Sequence, residues 1–155
     1  MNPFDEARVR VAPEAKASVD LIEGFFDALE RMDFESVGGM FTSSGLYRDE
    51  PSHEADAIGP AAITAKLTQA ISGLRKFVMG VDTVVADADR VTSRRTEEWH
   101  FPTGEVAKLP VVCIQEIKDG KITRWHEFWN MSSLIEQMPP AWMEEMVKRA
   151  TAESE

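Results

Sequence analysis

The chain has 155 residues, 43% apolar and 28% charged, which fits one folded domain and excludes a disordered segment. Seventeen Lys and Arg against 27 Asp and Glu leave a formal charge of −10, a surface that repels phosphate backbones and argues against nucleic-acid binding. The single cysteine, Cys113, excludes an internal disulfide framework and a Cys-built zinc site. No apolar run approaches the ~18 residues of a membrane span, and residues 1–10 lack a signal-peptide core, so a cytoplasmic domain is expected.

Residues 1–12 read as an N-terminal tail and 13–150 as the single domain, with a short C-terminal tail from Thr151 to Glu155. Val19, Ile22, Phe25, Phe26 and Leu29 recur at helical spacing, so a helix is expected from Pro13 to about Met32. Asp33 reads as the cap of a short second helix ending near Gly38-Gly39. Gly45 to Pro51 is an extended segment closed by proline. A loop from Ser52 to Gly59 leads into a third helix, Pro60 to about Leu74, striped by Ile63, Leu67, Ala70 and Ile71. From Lys76 the pattern turns to strands: 76–86, 91–101, 106–118 and 122–130, with turns at Asp89-Arg90, Thr103-Gly104 and Asp119-Gly120. Ser132 to about Lys148 is a last helix interrupted by Pro139-Pro140. Helices followed by four hairpin-connected strands imply an α+β domain, with helices packed on an antiparallel sheet that closes as a cone over an apolar pocket.

Side chains alternate along a strand, so parity separates the faces. One face of 91–101 carries Val91, Arg95, Glu97, Trp99 and Phe101, while the other carries Thr92, Arg94, Thr96, Glu98 and His100. The first face is the expected interior, yet it holds a cation and a carboxylate. The last strand repeats the pattern with Trp125, Glu127 and Trp129. A buried ionisable group needs a partner, and Arg95 between Glu97 and Glu127 would supply one to both. Carboxyls held together separate in proton affinity, the requirement for a general base and a general acid acting as a pair. Tyr47, the single tyrosine, and Asp49 share a face of the earlier extended segment. The bland alternative is a structural ion cluster. His53, His100 and His126 show no metal spacing, and no metal site is expected. Met131, Met138, Met143, Met146 and Trp142 read as core or as a cap over the pocket, and Cys113 as a buried small residue.

Several of these segments together resemble the limonene-1,2-epoxide hydrolase family, within the SnoaL-like and nuclear-transport-factor-2-like (NTF2-like) superfamily. They are Phe25-Phe26-Asp27-Ala28-Leu29 with Asp33-Phe34, Leu46-Tyr47-Arg48-Asp49-Glu50-Pro51, Ile58-Gly59-Pro60, Arg95-Thr96-Glu97, and the hairpin from Asp119 to Asn130. The resemblance covers roughly Val19 to Gln137. It implies a cone-like NTF2-like fold, a homodimer through the outer sheet face, and one-step addition of water to a small hydrophobic epoxide without a cofactor. Carried over, Glu127 is the base, Tyr47 and Asp49 hold the water, Glu97 is the acid and Arg95 bridges the carboxylates. Trp99, Trp125, Trp129 and Phe101 would contact the substrate. This chain departs from the family pattern at Glu97 and Glu127, which are aspartates there, and at Asp49, which is asparagine. A SnoaL-like polyketide cyclase, a ketosteroid-isomerase-like enzyme and a non-catalytic small-molecule binder are the alternatives.

Overall fold

The computed structural model describes residues 1–152. Its order is α1 (Pro3–Arg10), α2 (Lys16–Glu30), α3 (Phe34–Gly39), β1 (Phe41–Asp49), β2 (Ala57–Ile58), α4 (Pro60–Ile71), β3 (Lys76–Ala86), β4 (Arg90–His100), β5 (Val106–Lys118), β6 (Lys121–Phe128), α5 (Met131–Gln137) and α6 (Pro140–Ala152). The expected α+β architecture is present. One sheet in the order β2-β1-β6-β5-β4-β3 is covered by the helices.

Four departures from the sequence reading have identifiable causes. The expected tail at 1–12 contains α1, capped by the Asn2 side chain on the Asp5 N–H. Only Phe4 and Ala7 of α1 are buried, with Phe4 against Phe26, so its helical stripe is too thin to read. The sheet is mixed: β3 to β6 pair antiparallel as expected, but β1 lies parallel to β6, because α4 and four strands intervene before the chain returns. The loop 52–59 contains β2, a two-residue edge strand that pairs Leu46 with Ile58 and Tyr47 with Ala57. The C-terminal region splits at Pro139-Pro140 into α5 and α6, and α6 reaches Ala152, past the expected start of the tail; 153–155 lie outside the described residues.

The register positions the site. β5 lies between β4 and β6, with Val111 opposite Arg95 and Cys113 opposite Glu127. These two residues are small, so the Arg95 side chain can cross β5 to reach Glu127. On the other side of β6, the parallel pairing sets Tyr47 against Trp125 and Asp49 against Glu127. Parity alone could not bring these strands together; the β1–β6 pairing does. Breaks in register in β1–β6, β3–β4 and β5–β6 mark irregularities of the kind that bend strands and increase their twist.

The core lies between the helices and this inner sheet face. Phe25 of α2 meets Trp125 edge-on at 4.7 Å between ring centres. Asp33 caps α3 through the Ser36 N–H. α3 then packs closely on the start of α4: a Cβ on Gly38 would come within 2.3 Å of Thr64 Oγ1 and 2.7 Å of the Pro60 carbonyl oxygen. The Asp119-Gly120 turn requires left-handed backbone at both residues, with φ of 51° and 73°, which is why this dipeptide is so strong a hairpin signal.

Candidate active site

Side chains from β1, β4, β6 and α4 meet at the polar end of a cavity of about 330 Å³, within the size range of small-molecule sites. Its walls are apolar: Leu67 and Ile71 from α4, Leu109 and Val111 from β5, and the tryptophans Trp99, Trp125 and Trp129. Its mouth is formed by Met131, Leu134 and Met138 of the α5 segment with Met143, Met146 and Val147 of α6. The expected cap of methionines is therefore present, and the two prolines separate its two helices.

Arg95 is fully buried and donates to both glutamates. Its Nε lies 3.0 Å and its Nη2 2.5 Å from Glu97 Oε1, and the same Nη2 contacts Glu127 Oε1. Glu97 Oε2 accepts from Trp99 Nε1 at 2.9 Å, so Trp99 is both cavity wall and hydrogen-bond donor. Arg95 itself does not line the cavity; it lies behind the two carboxylates, with its guanidinium 5.2 Å from the centre of the Phe26 ring. Asp49 Oδ1 accepts from Tyr47 Oη at 3.3 Å and from Trp129 Nε1 at 2.9 Å. Tyr47 stacks flat on Trp125, with ring centres 3.8 Å apart. Burial, reinforced by Asp49 and Glu127, pushes the Tyr47 hydroxyl well above its usual value, so it stays a donor. Burial away from water, with Glu97 and Asp49 adding repulsion, pushes Glu127 up to about 8 against the opposing pull of Arg95.

The five expected catalytic residues thus gather at one place. Of the four expected substrate contacts, Trp99, Trp125 and Trp129 line the cavity and Phe101 does not. Phe101 sits one residue past β4 and packs edge-on against Trp142 of α6, 5.2 Å between ring centres, with no exposed surface. Parity selected the correct face; it could not show that the cavity ends before Phe101.

Lys66 was missed. Its Nζ lies 2.8 Å from Asp49 Oδ2 and 4.0 Å from the centre of the Tyr47 ring, and it lines the cavity. The signal was present, since Lys66 stands three residues after Ile63 and four before Ala70, a cation inside the apolar stripe of α4. With it the site holds three carboxylates and two cations.

Outside the cavity, Glu50 Oε2 meets Nε2 of both His53, at 3.2 Å, and His126. The donor atoms of these three residues gather within 4.8 Å, which linear spacing did not suggest. The Arg124 guanidinium faces His126 Nδ1 at 3.5 Å, which directs the ring proton to Nε2 and toward Glu50. The arrangement is that of a surface ion-pair cluster, with both histidines lowering the Glu50 carboxyl. His100 pairs with Glu98 at 3.1 Å on the outer sheet face. Cys113 is fully buried, and burial pushes its thiol up to about 11, in keeping with a structural residue.

A sheet wrapped by helices around an apolar cavity with a cluster of ionisable groups at its closed end defines an α+β domain of the NTF2-like fold. The family described as SnoaL-like domain matches residues 22–125, and the chain belongs to it. Among solved structures, a candidate polyketide cyclase of Xanthomonas campestris pv. campestris superposes with a TM-score of 0.71 at 19% identity, covering 80% of this chain and 98% of that one. An LEH-like epoxide hydrolase of M. tuberculosis gives 0.69 at 18% identity, covering 90% and 99%. A hypothetical protein of Catenulispora acidiphila with a ketosteroid isomerase-like fold, solved in complex with trimethylamine, gives 0.69 at 17% identity, covering 79% and 95%. These likenesses establish the fold. No helix among the described residues is long and apolar enough to cross a membrane.

Proposed function

We propose that this protein is an epoxide hydrolase that adds water to a small hydrophobic epoxide, terpene-like or cyclic, to give a vicinal diol in one step without a cofactor. The observation that carries this reading is the buried Arg95 bridging Glu97 and Glu127 at the closed end of an apolar cavity, beside Tyr47 and Asp49. Opening a strained ring requires a proton for the departing oxygen and a deprotonated water at a ring carbon, hence two carboxyls in different protonation states. A single cation shared between two buried carboxyls, one pushed up by burial, provides that difference. By resemblance, Glu127 takes the water's proton, Tyr47 and Asp49 orient the water, and Glu97 protonates the epoxide oxygen; the raised Glu127 carboxyl runs against this division of the two roles. Trp99, Trp125 and Trp129 would hold the hydrocarbon part of the substrate against the apolar wall. We extend the reading to a cytoplasmic homodimer formed through the outer sheet face, where Val112 and Phe128 stand 41% and 39% exposed.

The second reading is proton transfer next to a carbonyl, as in a polyketide cyclase or ketosteroid isomerase. It is favoured by the high proton affinity of Glu127, a carboxyl poised to accept or return a proton near neutral pH. The two separate by substrate panel. Cyclic and terpene epoxides are assayed for diol, and β,γ-unsaturated ketones for isomerisation, with the wild type and Arg95→Ala. Diol formation that Arg95→Ala abolishes supports the first reading. Ketone isomerisation that survives in Arg95→Ala, with no diol from either protein, overturns it.

A further inference from the structure

We propose that the water's proton goes to Asp49, held in place by Lys66, and that Glu127 enters the reaction protonated and supplies the proton to the departing oxygen. This rests on the epoxide-opening reading and exchanges the roles that the resemblance gives to the carboxyls. Glu97 accepts from Arg95 Nε, Arg95 Nη2 and Trp99 Nε1. Asp49 accepts from Tyr47 and Trp129 and pairs with Lys66. Glu127, 4% exposed, accepts from Arg95 Nη2 alone among the described residues, and that contact occupies only Oε1. A carboxylate in a dry site is stabilised by the donors around it. Three carboxyls facing two cations leave one negative charge without a partner. The carboxyl with one donor is the one that takes a proton and cancels it.

The groups facing Glu127 support the same assignment. They are Asp49 and Tyr47 from β1, Lys66 from α4, Arg95 and Glu97 from β4, and Cys113 opposite it on β5. Lys66 points its charge at Asp49, and Arg95 divides its donors between the two glutamates in favour of Glu97. Where the family pattern has a neutral asparagine to orient water, this chain has a carboxylate with its own cation, so the group that orients the water also accepts its proton. Asp49 Oδ2 contacts Lys66 and no other described donor, which leaves it a lone pair for water.

The step balances within the site. As the water oxygen bonds to one ring carbon, a water proton passes to Asp49. The C–O bond of that same carbon, on the side away from the incoming water, breaks, and its electron pair stays on the ring oxygen, which takes the proton of Glu127. Product leaves Asp49 protonated and Glu127 ionised. A proton transfer between these two cross-strand neighbours restores the starting state. Glu97 acts as a positioning residue, fixing Arg95 and thereby Glu127. Lys66 is likewise a positioning residue, acting through Asp49.

The test is the pH dependence of kcat on an epoxide the wild type turns over, together with Asp49→Asn, which installs the near-isosteric residue of the family pattern. The expected result is a kcat that falls as pH rises through the titration of Glu127, and a loss of at least 100-fold in Asp49→Asn with KM changed little. Lys66→Met is expected to lose at least tenfold in kcat and to move the alkaline limb upward, with Lys66→Arg restoring most of both. A kcat that rises through the same pH range, or an Asp49→Asn enzyme within threefold of wild type, overturns the exchange of roles while leaving epoxide hydrolysis standing. No diol from any epoxide overturns the hydrolase reading and this proposal with it.

Discussion

Replacing Glu127 by glutamine removes an ionisation and little volume, and its effect on stability has a sign that reverses intuition about buried ion pairs. The fold raises the Glu127 carboxyl from an ordinary value near 4.5 to about 8, through burial first and then Glu97 and Asp49. Each tenfold change in proton affinity is worth about 1.4 kcal/mol, so ionising Glu127 inside the fold costs at most about 4–5 kcal/mol. Between the two values the folded chain holds a proton that the unfolded chain has shed. Stability from this group is therefore fully present below pH 4.5, declines as pH rises, and is lost above 8. The substituted amide never ionises and keeps an oxygen for Arg95. Part of the gain is offset by the weaker bond from Arg95 to a neutral acceptor. Relative to wild type, Glu127→Gln should gain about 2–4 kcal/mol on going from pH 5 to pH 9, and be the more stable protein at the alkaline end. Urea unfolding followed by fluorescence of the four tryptophans at pH 5, 7 and 9 measures this directly. A stability difference that does not change with pH, or one that grows against the variant as pH rises, would show that Glu127 is ionised in the resting site.

Arg95→Met leaves Glu97 and Glu127 buried without their cation, and should destabilise the fold by about 3–5 kcal/mol at pH 8 and by less at pH 5, read from the same urea curves. Asp33→Ala removes the cap on the Ser36 N–H and should cost about 1 kcal/mol, independent of the cavity and without effect on ligand binding. Gly38→Ala drives a methyl into Thr64 and the Pro60 carbonyl, and should lower stability by about 1–3 kcal/mol in calorimetry. Leu67→Ala, at a buried cavity wall, should cost about 2–4 kcal/mol and shift preference toward bulkier epoxides in competition assays.

Strong local signals made much of this legible beforehand. β3 and β5 match their expected limits because turns bound them, and the Asp119-Gly120 hairpin was unmistakable. Alternation on β4 separated Arg95, Glu97 and Trp99 from Thr96, Glu98 and His100, and burial follows that division. What stayed hidden depends on pairing between distant segments. The parallel β1–β6 register, which sets Asp49 beside Glu127, has no trace in either strand alone. Lys66 was passed over because a lysine on a helix is ordinarily read as solvated, and only the position of β1 beneath α4 turns it toward Asp49. The α1 helix buries two residues and so leaves almost no stripe. Phe101 shares its face with Trp99 but stands beyond the cavity, against Trp142.

The central claim is that water, activated by carboxyls at the closed end of the cavity, attacks an epoxide directly. A single turnover in ¹⁸O-water, with enzyme in excess over a cyclic epoxide, tests it most plainly. The expected result is a diol carrying one ¹⁸O from the first turnover, unlabelled carboxyl oxygens on Asp49, Glu97 and Glu127 by peptide mass spectrometry, and no diol from Glu127→Gln. Unlabelled diol in the first turnover, with ¹⁸O appearing instead in one of those carboxyls, would mean attack by the protein itself and would contradict it.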